Sequence, residues 1–478
     1  AQEVFLLVIQ DFDNPEKLLS LWEKENMVTF KSECSGDIFF SDDLDSFKKT
    51  PYLAVEYNYV QYYEADQPII KLLAIYFRRD NHIYFTVAAS SQTLCNKFSI
   101  LSPKLNSIEN FLHTNKLPIL KIDAPLVLKT IDIEKPWGKE IWYTGIEERG
   151  LSSVTDGIND APLPWILSVA PNRLAAGKEK QINLLKILDP LPDPAFGDLY
   201  FELHEKKQEV YVVVDIDKNS WPQEFGGVRY GFDDVTKNTF SSKINFYDAY
   251  KKAVEKYRQI RRAIDDQLDN YRIQEGFTLN EALPSSIISK WMTLIPGDWL
   301  SQEEELRAQM NSFTSILPVK VGDVIKIPLL TPHGLLHGVR VVEFQNPVYE
   351  RLILSFNQKT LTQDHWDTEK ALSIMTELVK PFPQLKVIKE DTGYIIEEVA
   401  VFEEFKVLRL ILTAKSSCRL SVNKNYKLLL VIEGNISCNG TVAHKECGLL
   451  VPAGQKDIDI KNINNNQSTV LLASPIFH

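Results

Sequence analysis

Apolar positions in this chain follow two rhythms, and the changes between them mark out its segments. Short runs rich in β-branched and aromatic residues, broken by turn residues, fill most of the sequence, a pattern that predicts strands. Near the N-terminus these runs are Phe5 to Ile9, Tyr52 to Val60 and Ile69 to Phe77. Arg78-Arg79-Asp80-Asn81 then reads as a turn into His82 to Ala88, which predicts a hairpin. Asn14 ahead of Pro15 and Glu16 supplies an N-cap with proline in the first turn, so a short helix is expected up to Trp22.

From Lys135-Pro136-Trp137-Gly138 onward, short strands alternate with turn residues to about Val214. The rhythm then changes. Phe246, Tyr250, Val254, Tyr257, Ile260, Ile264, Leu268 and Tyr271 recur at three- and four-residue intervals with charged residues between them, the mark of an amphipathic helix over 245–272. Helix is also predicted from Ile287 to Leu294 and again from Ser301, which reads as an N-cap for Gln302-Glu303-Glu304-Glu305. Strands return at Asp323 to Ile327 and Val339 to Phe344, followed by a helix from Thr368 to Leu378 that Pro381 and Pro383 end. The last stretch is strand-like at Val407 to Leu412, Tyr426 to Ile432, Gly448 to Val451 and Ser468 to Leu472.

The chain therefore reads as mainly β, with two β-barrels, a helical insertion in the first, and an N-terminal α+β domain. Its 478 residues exceed what one core can organise. The expected division is 1–125 for the α+β domain, 126–240 with 318–360 for the first barrel, and 241–317 for the insertion. A helical connector at 361–390 and a second barrel at 391–478 complete it. A net charge of −11 argues against non-specific nucleic-acid binding, which needs a positive surface. Five cysteines, with no CxxC pair, suggest free thiols in a reducing compartment and neither a thiolate zinc site nor a disulfide framework. The apolar run Val4 to Ile9 is too short for a membrane span and has an acid before it, so a cytoplasmic location is expected.

Two stretches carry the chemistry. In the first, Glu202 and His204 stand two apart in a predicted strand and so share a face, and Glu209 opens the next strand after a short connection. In the second, Gly322, Pro328 and His333 end a strand at a proline turn and deliver a histidine just beyond it. Four nitrogen and oxygen donors of this kind suit a divalent cation with positions left open for water or substrate.

The two stretches resemble the paired motifs of the cupin superfamily. Within it they are most similar to the type I mannose-6-phosphate isomerases, which pair Gln-x-His with Lys-x-Glu, then a Thr-x-His turn and a Val-x-Glu-x-Gln strand. The corresponding positions are Glu202 with His204, Lys207 with Glu209, Thr331 with His333, and Val341-Val342-Glu343-Phe344-Gln345. Pro136-Trp137-Gly138 looks like the family's Pro-Trp-Gly signature. The resemblance covers roughly residues 126–478. The C-terminal barrel keeps the proline turn, Val451-Pro452-Ala453-Gly454, with Asp457 where the histidine would stand. It is therefore expected to lack a metal.

The resemblance implies isomerisation of a hexose phosphate through a cis-enediolate, on a monomer or homodimer with a sugar phosphate as partner and neither nucleic acid nor membrane. It implies Glu202, His204, Glu209 and His333 as ligands of one divalent metal, zinc foremost and manganese, iron or nickel otherwise. Arg351 and Lys207 take catalytic roles on this view, and Lys135 with Trp137 the phosphate and substrate. Glu202 stands where the family has glutamine, so two carboxylates would neutralise the ion, and the loop from His204 to Glu209 is shortened. His337 is either a fifth ligand or a supporting residue, His365 a surface or helix-capping one. Arg351, if structural, would pair with Glu343 or Glu350. Beside the isomerase stand a cupin that binds a sugar phosphate without turnover and, more distantly, an iron oxygenase.

Overall fold

The computed structural model describes residues 8–12, 14–25, 51–99, 101, 105–377, 385–421 and 424–476. The chain forms two compact units. One comprises Ala1–Ile131, Tyr143–Asn183 and Leu385–His478, the other Asp132–Trp142 and Leu184–Gln384.

The first unit opens with a five-stranded sheet, Val8–Phe12, Tyr52–Val60, Ile69–Arg79, His82–Ala89 and Leu120–Lys121 in that order. The predicted hairpin is present, and Asp80 and Asn81 both take positive φ at its tip (50° and 61°), as a two-residue hairpin turn requires. Tyr52, Ala54, Leu73, Ile75 and Phe77 pack on Phe98, Ile108, Phe111 and Leu112 of helices Gln92–Ser99 and Leu105–Thr114. Asn14 caps helix Pro15–Glu23, its side chain accepting from Lys17 N–H at 3.2 Å. Phe5 to Leu7 lie outside the described residues.

The rest of this unit includes a nine-stranded and a four-stranded sheet. Leu429, Val431, Leu449, Val470 and Leu472 of the first pack on Cys418, Ile436, Ile458 and Ile460 of the second. Leu126–Lys129 enters the larger sheet beside Gly448–Val451, with Leu128 opposite Gly448, and Ser153–Thr155 and Asp160–Pro162 extend that edge. Residue 126, read from the sequence as the start of the metal-bearing barrel, thus opens a strand of this sheet.

The second unit holds a six-stranded sheet in the order Val324–Ile327, Glu209–Ile216, Val339–Gln345, Leu184–Pro190, Gly138–Trp142, Ile131–Lys135. A five-stranded sheet in the order Thr314–Val319, Gly226–Phe232, His333–Leu335, Phe201–Leu203, Leu352–Ser355 accompanies it. Leu188, Tyr211, Val213, Ile325 and Val341 of one sheet meet Tyr200, Val228, Tyr230, Leu335 and Ile353 from the other, so one core lies between them. This is the double-sheet arrangement of a jelly roll.

Between Gly226–Phe232 and Thr314–Val319 the chain makes its helical insertion. Helix Lys243–Glu275 starts at Ser242, whose side chain accepts from Asn245 N–H, and stops at Gly276 with φ 83°. Its buried stripe, Phe246, Tyr250, Tyr257, Ile264 and Leu268, packs with Phe201, Leu203, Leu352 and Leu354. Phe201 and Leu203 therefore face the helices, which leaves Glu202 on the opposite, inward face. The expected cap at Ser301 is wrong. Helix Gly297–Asn311 begins four residues earlier, with Pro296 in the cap position and no side-chain cap, and Ser301 lies within it. Pro296 sets the extended entry, φ −53° and ψ 132°, which a search for a polar cap misses. Helix Thr368–Ile374 is shorter than predicted, and Leu378, Pro381 and Pro383 lie outside the described residues.

Candidate metal centre

Glu202 and His333 are cross-strand partners on the antiparallel pair Phe201–Leu203 and His333–Leu335. His204 follows directly after the first of these strands. Donor atoms of Glu202, His204 and His333 all lie within 4.8 Å of one another. Glu209 reaches the same point from the six-stranded sheet. Its Oε1 is 2.7 Å from His333 Nε2 and 3.4 Å from His204 Nε2, and Glu202 Oε1 is 3.7 Å from His204 Nε2. The structure thus brings together all four residues that the motifs single out.

Backbone carbonyls orient both imidazoles. His204 Nδ1 lies 2.9 Å from Glu350 O, and His333 Nδ1 2.9 Å from Thr331 O. A carbonyl only accepts, so each Nδ1–H donates and each Nε2 is turned to the cluster. The two motif turns are tied to each other: Leu330 N–H donates to His204 O at 2.7 Å, and Leu330 takes φ 60° to do so.

His204, Glu209 and His333 are 2 %, 0 % and 1 % exposed. Burial acts to raise the Glu209 pKa, yet the charge of Lys207 and the neighbouring histidines hold it well below the usual carboxylate range. Burial acts to lower the His333 pKa, but the hydrogen bond and charge of Glu209 raise it overall. Burial and Lys207 lower that of His204. Glu202 Oε2 is buried and accepts no hydrogen bond among the described residues. Such an oxygen is costly unless something positive meets it. Two imidazoles and two carboxylates around one point fit a divalent first-row cation.

Lys207 and Arg351, the candidate catalytic cations, both face the cluster. Lys207 Nζ is 2.6 Å from Glu209 Oε2, 3.6 Å from Glu343 Oε1 and 3.5 Å from His204 Nε2. Arg351 lies 3.5 Å from Glu202 Oε2, sits 4.1 Å over the Tyr200 ring and donates to Thr362 Oγ1 at 2.6 Å. It pairs with Glu202 and not with Glu343 or Glu350, because the strand Leu352–Ser355 lies beside Phe201–Leu203 and carries Arg351 to that side.

The structure adds two half-buried groups, Lys186 and Glu140, that sequence reading did not place at the site. Lys186 stands between Glu343 (3.4 Å) and Glu140 (3.6 Å), and Lys135 meets Glu140 at 3.4 Å. A row of alternating charges, Glu209, Lys207, Glu343, Lys186, Glu140, Lys135, thus crosses the six-stranded sheet. Burial and Glu209 raise the Glu343 pKa against the pull of Lys186 and Lys207, while Lys186 and Lys135 lower that of Glu140 against its burial. Lys186 was hidden because an isolated lysine in a strand carries no motif. Its pairing with Glu343 is visible only through strand register, in which the two are opposed.

Lys135 lies at the far end of this row, four strand spacings or about 19 Å along the sheet from the strand of Glu209. Trp137 is 2 % exposed and belongs to the core between the sheets, with Tyr200 and Tyr211. His337 Nδ1 bonds Asp198 Oδ1 at 2.7 Å and its ring stacks on Trp221, apart from the ligand cluster. His365 is largely exposed, and Asp457 pairs with Arg419 at 2.7 Å.

No family model and no curated protein matches the chain. Solved structures do. The chain is similar in structure to mannose 6-phosphate isomerases. That from Bacillus subtilis aligns over 73% of this chain and 99% of its own, with 16% identity and a TM-score of 0.49. A zinc-bound mannose 6-phosphate isomerase aligns over 74% and 100%, with 11% identity and a TM-score of 0.48. A variant of phosphomannose isomerase from Salmonella typhimurium aligns over 74% and 100%, with 11% identity and a TM-score of 0.46.

Proposed function

We propose that this chain is a metal-dependent aldose–ketose isomerase acting on a hexose phosphate, with Glu202, His204, Glu209 and His333 as the ligands of one divalent ion. The observation that carries the reading is the contact of this donor cluster with a half-buried lysine and a buried carboxyl, Lys207 and Glu343, 3.6 Å apart. A divalent cation held by these four residues, zinc foremost and manganese, iron or nickel otherwise, would supply positive charge to the oxygens of the reacting sugar. Glu343 takes the proton from C2 and returns it to C1. Lys207, whose ammonium is favoured by Glu209 and Glu343 despite burial, moves protons at the sugar oxygens. Arg351, held by the Tyr200 face and Thr362, balances the negative charge that develops. Lys135 and Lys186, both paired with Glu140, are the lysines assigned to the phosphate, Lys186 the nearer to the cluster.

Metal analysis on untreated protein, joined to an assay for conversion of mannose 6-phosphate to fructose 6-phosphate, tests this. Turnover with about one metal per chain supports the isomerase, and full metal occupancy without turnover of hexose phosphate ends it. A second reading, a metal-containing cupin that binds a sugar phosphate without turnover, is favoured by the near-complete burial of His204, Glu209 and His333. Sugar-phosphate binding without turnover would select it.

A further inference from the structure

One carboxylate close to the centre is neither a proposed ligand nor a proton carrier, and its contacts are unusually directed. Glu350 Oε1 accepts from the backbone N–H groups of Lys206 at 2.8 Å and Lys207 at 2.9 Å. Successive amides that converge in this way form an anion-binding concavity, and a carboxylate seated in one is held by charge-assisted bonds. Burial works to raise the Glu350 pKa, but the N–H groups of Lys206, Lys207 and Glu205 lower it overall. The carbonyl of the same residue faces His204 Nδ1 at 2.9 Å.

We propose that Glu350 is a positioning residue of the metal centre, its carboxylate holding the shortened 205–208 turn so that Lys207 and Glu209 meet His204 and His333. The inference rests on the ligand set proposed above. The turn separates two proposed ligands, His204 and Glu209, and carries Lys207, whose ammonium lies 2.6 Å from Glu209. The turn's own side chains do little to fix it from outside: Glu205 is exposed and, among the described residues, reaches Lys370 at 2.9 Å. Asn346 supplies a second brace. Its Oδ1 accepts from Gln208 N–H at 2.9 Å and its Nδ2 donates to Lys206 O at 3.2 Å. Glu350 therefore fixes the first half of the turn, where Lys207 branches inward, and Asn346 the half that leads to Glu209. Arg351, adjacent in sequence, meets Glu202. One dipeptide thus braces both sides of the cluster.

Glu350→Gln tests this in the full-length chain, because it removes the charge and leaves the carbonyl that orients His204. Zinc affinity is measured by competition with a chromophoric chelator. Exchange of the Lys206 and Lys207 amides is followed on metal-free protein with selective 15N-lysine labelling. The expected result is zinc affinity about 10–100-fold weaker and amide exchange about tenfold faster, with the thermal midpoint of the metal-free protein little changed. Glu350→Asp, which keeps the charge, should recover part of both losses. Wild-type zinc affinity in Glu350→Gln overturns the proposal, whether or not the amides are released, since the turn would then not govern the centre. If the wild-type chain takes up no zinc, the ligand reading fails on its own. Amide exchange then still decides whether Glu350 holds the turn, and unchanged exchange overturns it.

Discussion

At the scale of single residues, the proposed ligands turn their donor atoms toward one point. Glu209 Oε1 lies between the Nε2 atoms of His333 and His204, where a ligand oxygen would share an ion with both. His204→Ala and His333→Ala should each abolish stoichiometric metal, a loss beyond the roughly 10–100-fold that removal of a supporting partner costs. Metal analysis after purification reads this directly, and retention in both variants would sink the ligand assignment. Lys207 pairs with Glu209 and Glu343, and on the proposed reading it also carries protons. Lys207→Met should lower kcat by about 10²–10⁴-fold and cost about 3–5 kcal/mol of folding stability by leaving buried carboxylates unpaired. The two losses are read separately, by turnover on folded protein and by denaturant unfolding. A stable variant with full turnover would remove Lys207 from the mechanism.

At the scale of elements, the six-stranded sheet is the part whose design is least visible in sequence. Motif spacing exposes Glu202, His204, Glu209 and His333 because each group is local, a strand face plus a turn. Lys186 and Glu343 meet only through the register of two antiparallel strands, in which they stand opposite each other. Sequence shows neither that register nor the burial that makes the pair consequential. Helices followed the same logic. The periodic helix Lys243–Glu275 was legible from its stripe over 245–272, whereas the start of Gly297–Asn311 was not, having no polar cap. Lys186 offers the element-scale test, since it is flanked by Glu140 and Glu343 on strands to either side. Lys186→Met should destabilise the protein by about 3–5 kcal/mol. Adding Glu343→Gln should restore part of the loss, because the double variant no longer buries that unpaired charge. Additive effects in urea unfolding would show that the row of charges is not coupled.

At the scale of the whole molecule, chain order and spatial order diverge, and this limits what a linear reading can recover. Leu126–Lys129 pairs with Gly448–Val451, and Leu184–Pro190 pairs with Val339–Gln345, partners far apart in sequence. The mainly β character was legible from local patterns, but the distribution of strands among sheets depends on such pairings. All four proposed ligands fall in one compact unit, Asp132–Trp142 with Leu184–Gln384, and they come from both of its sheets. A cation bound there joins the strand pair Phe201–Leu203 and His333–Leu335 to Glu209–Ile216 across the core, so its binding energy adds to the stability of those strands. The gain follows mass action, about 2.7 kcal/mol when free zinc is a hundred times its dissociation constant. Hydrogen exchange read by peptide mass should therefore show slower exchange in peptides covering residues 201–216 and 333–345 when zinc is added. His333→Ala should show no such change at the same zinc concentration. Equal protection in the variant would mean that zinc acts elsewhere, and no protection in the wild type would mean that these residues do not hold it together.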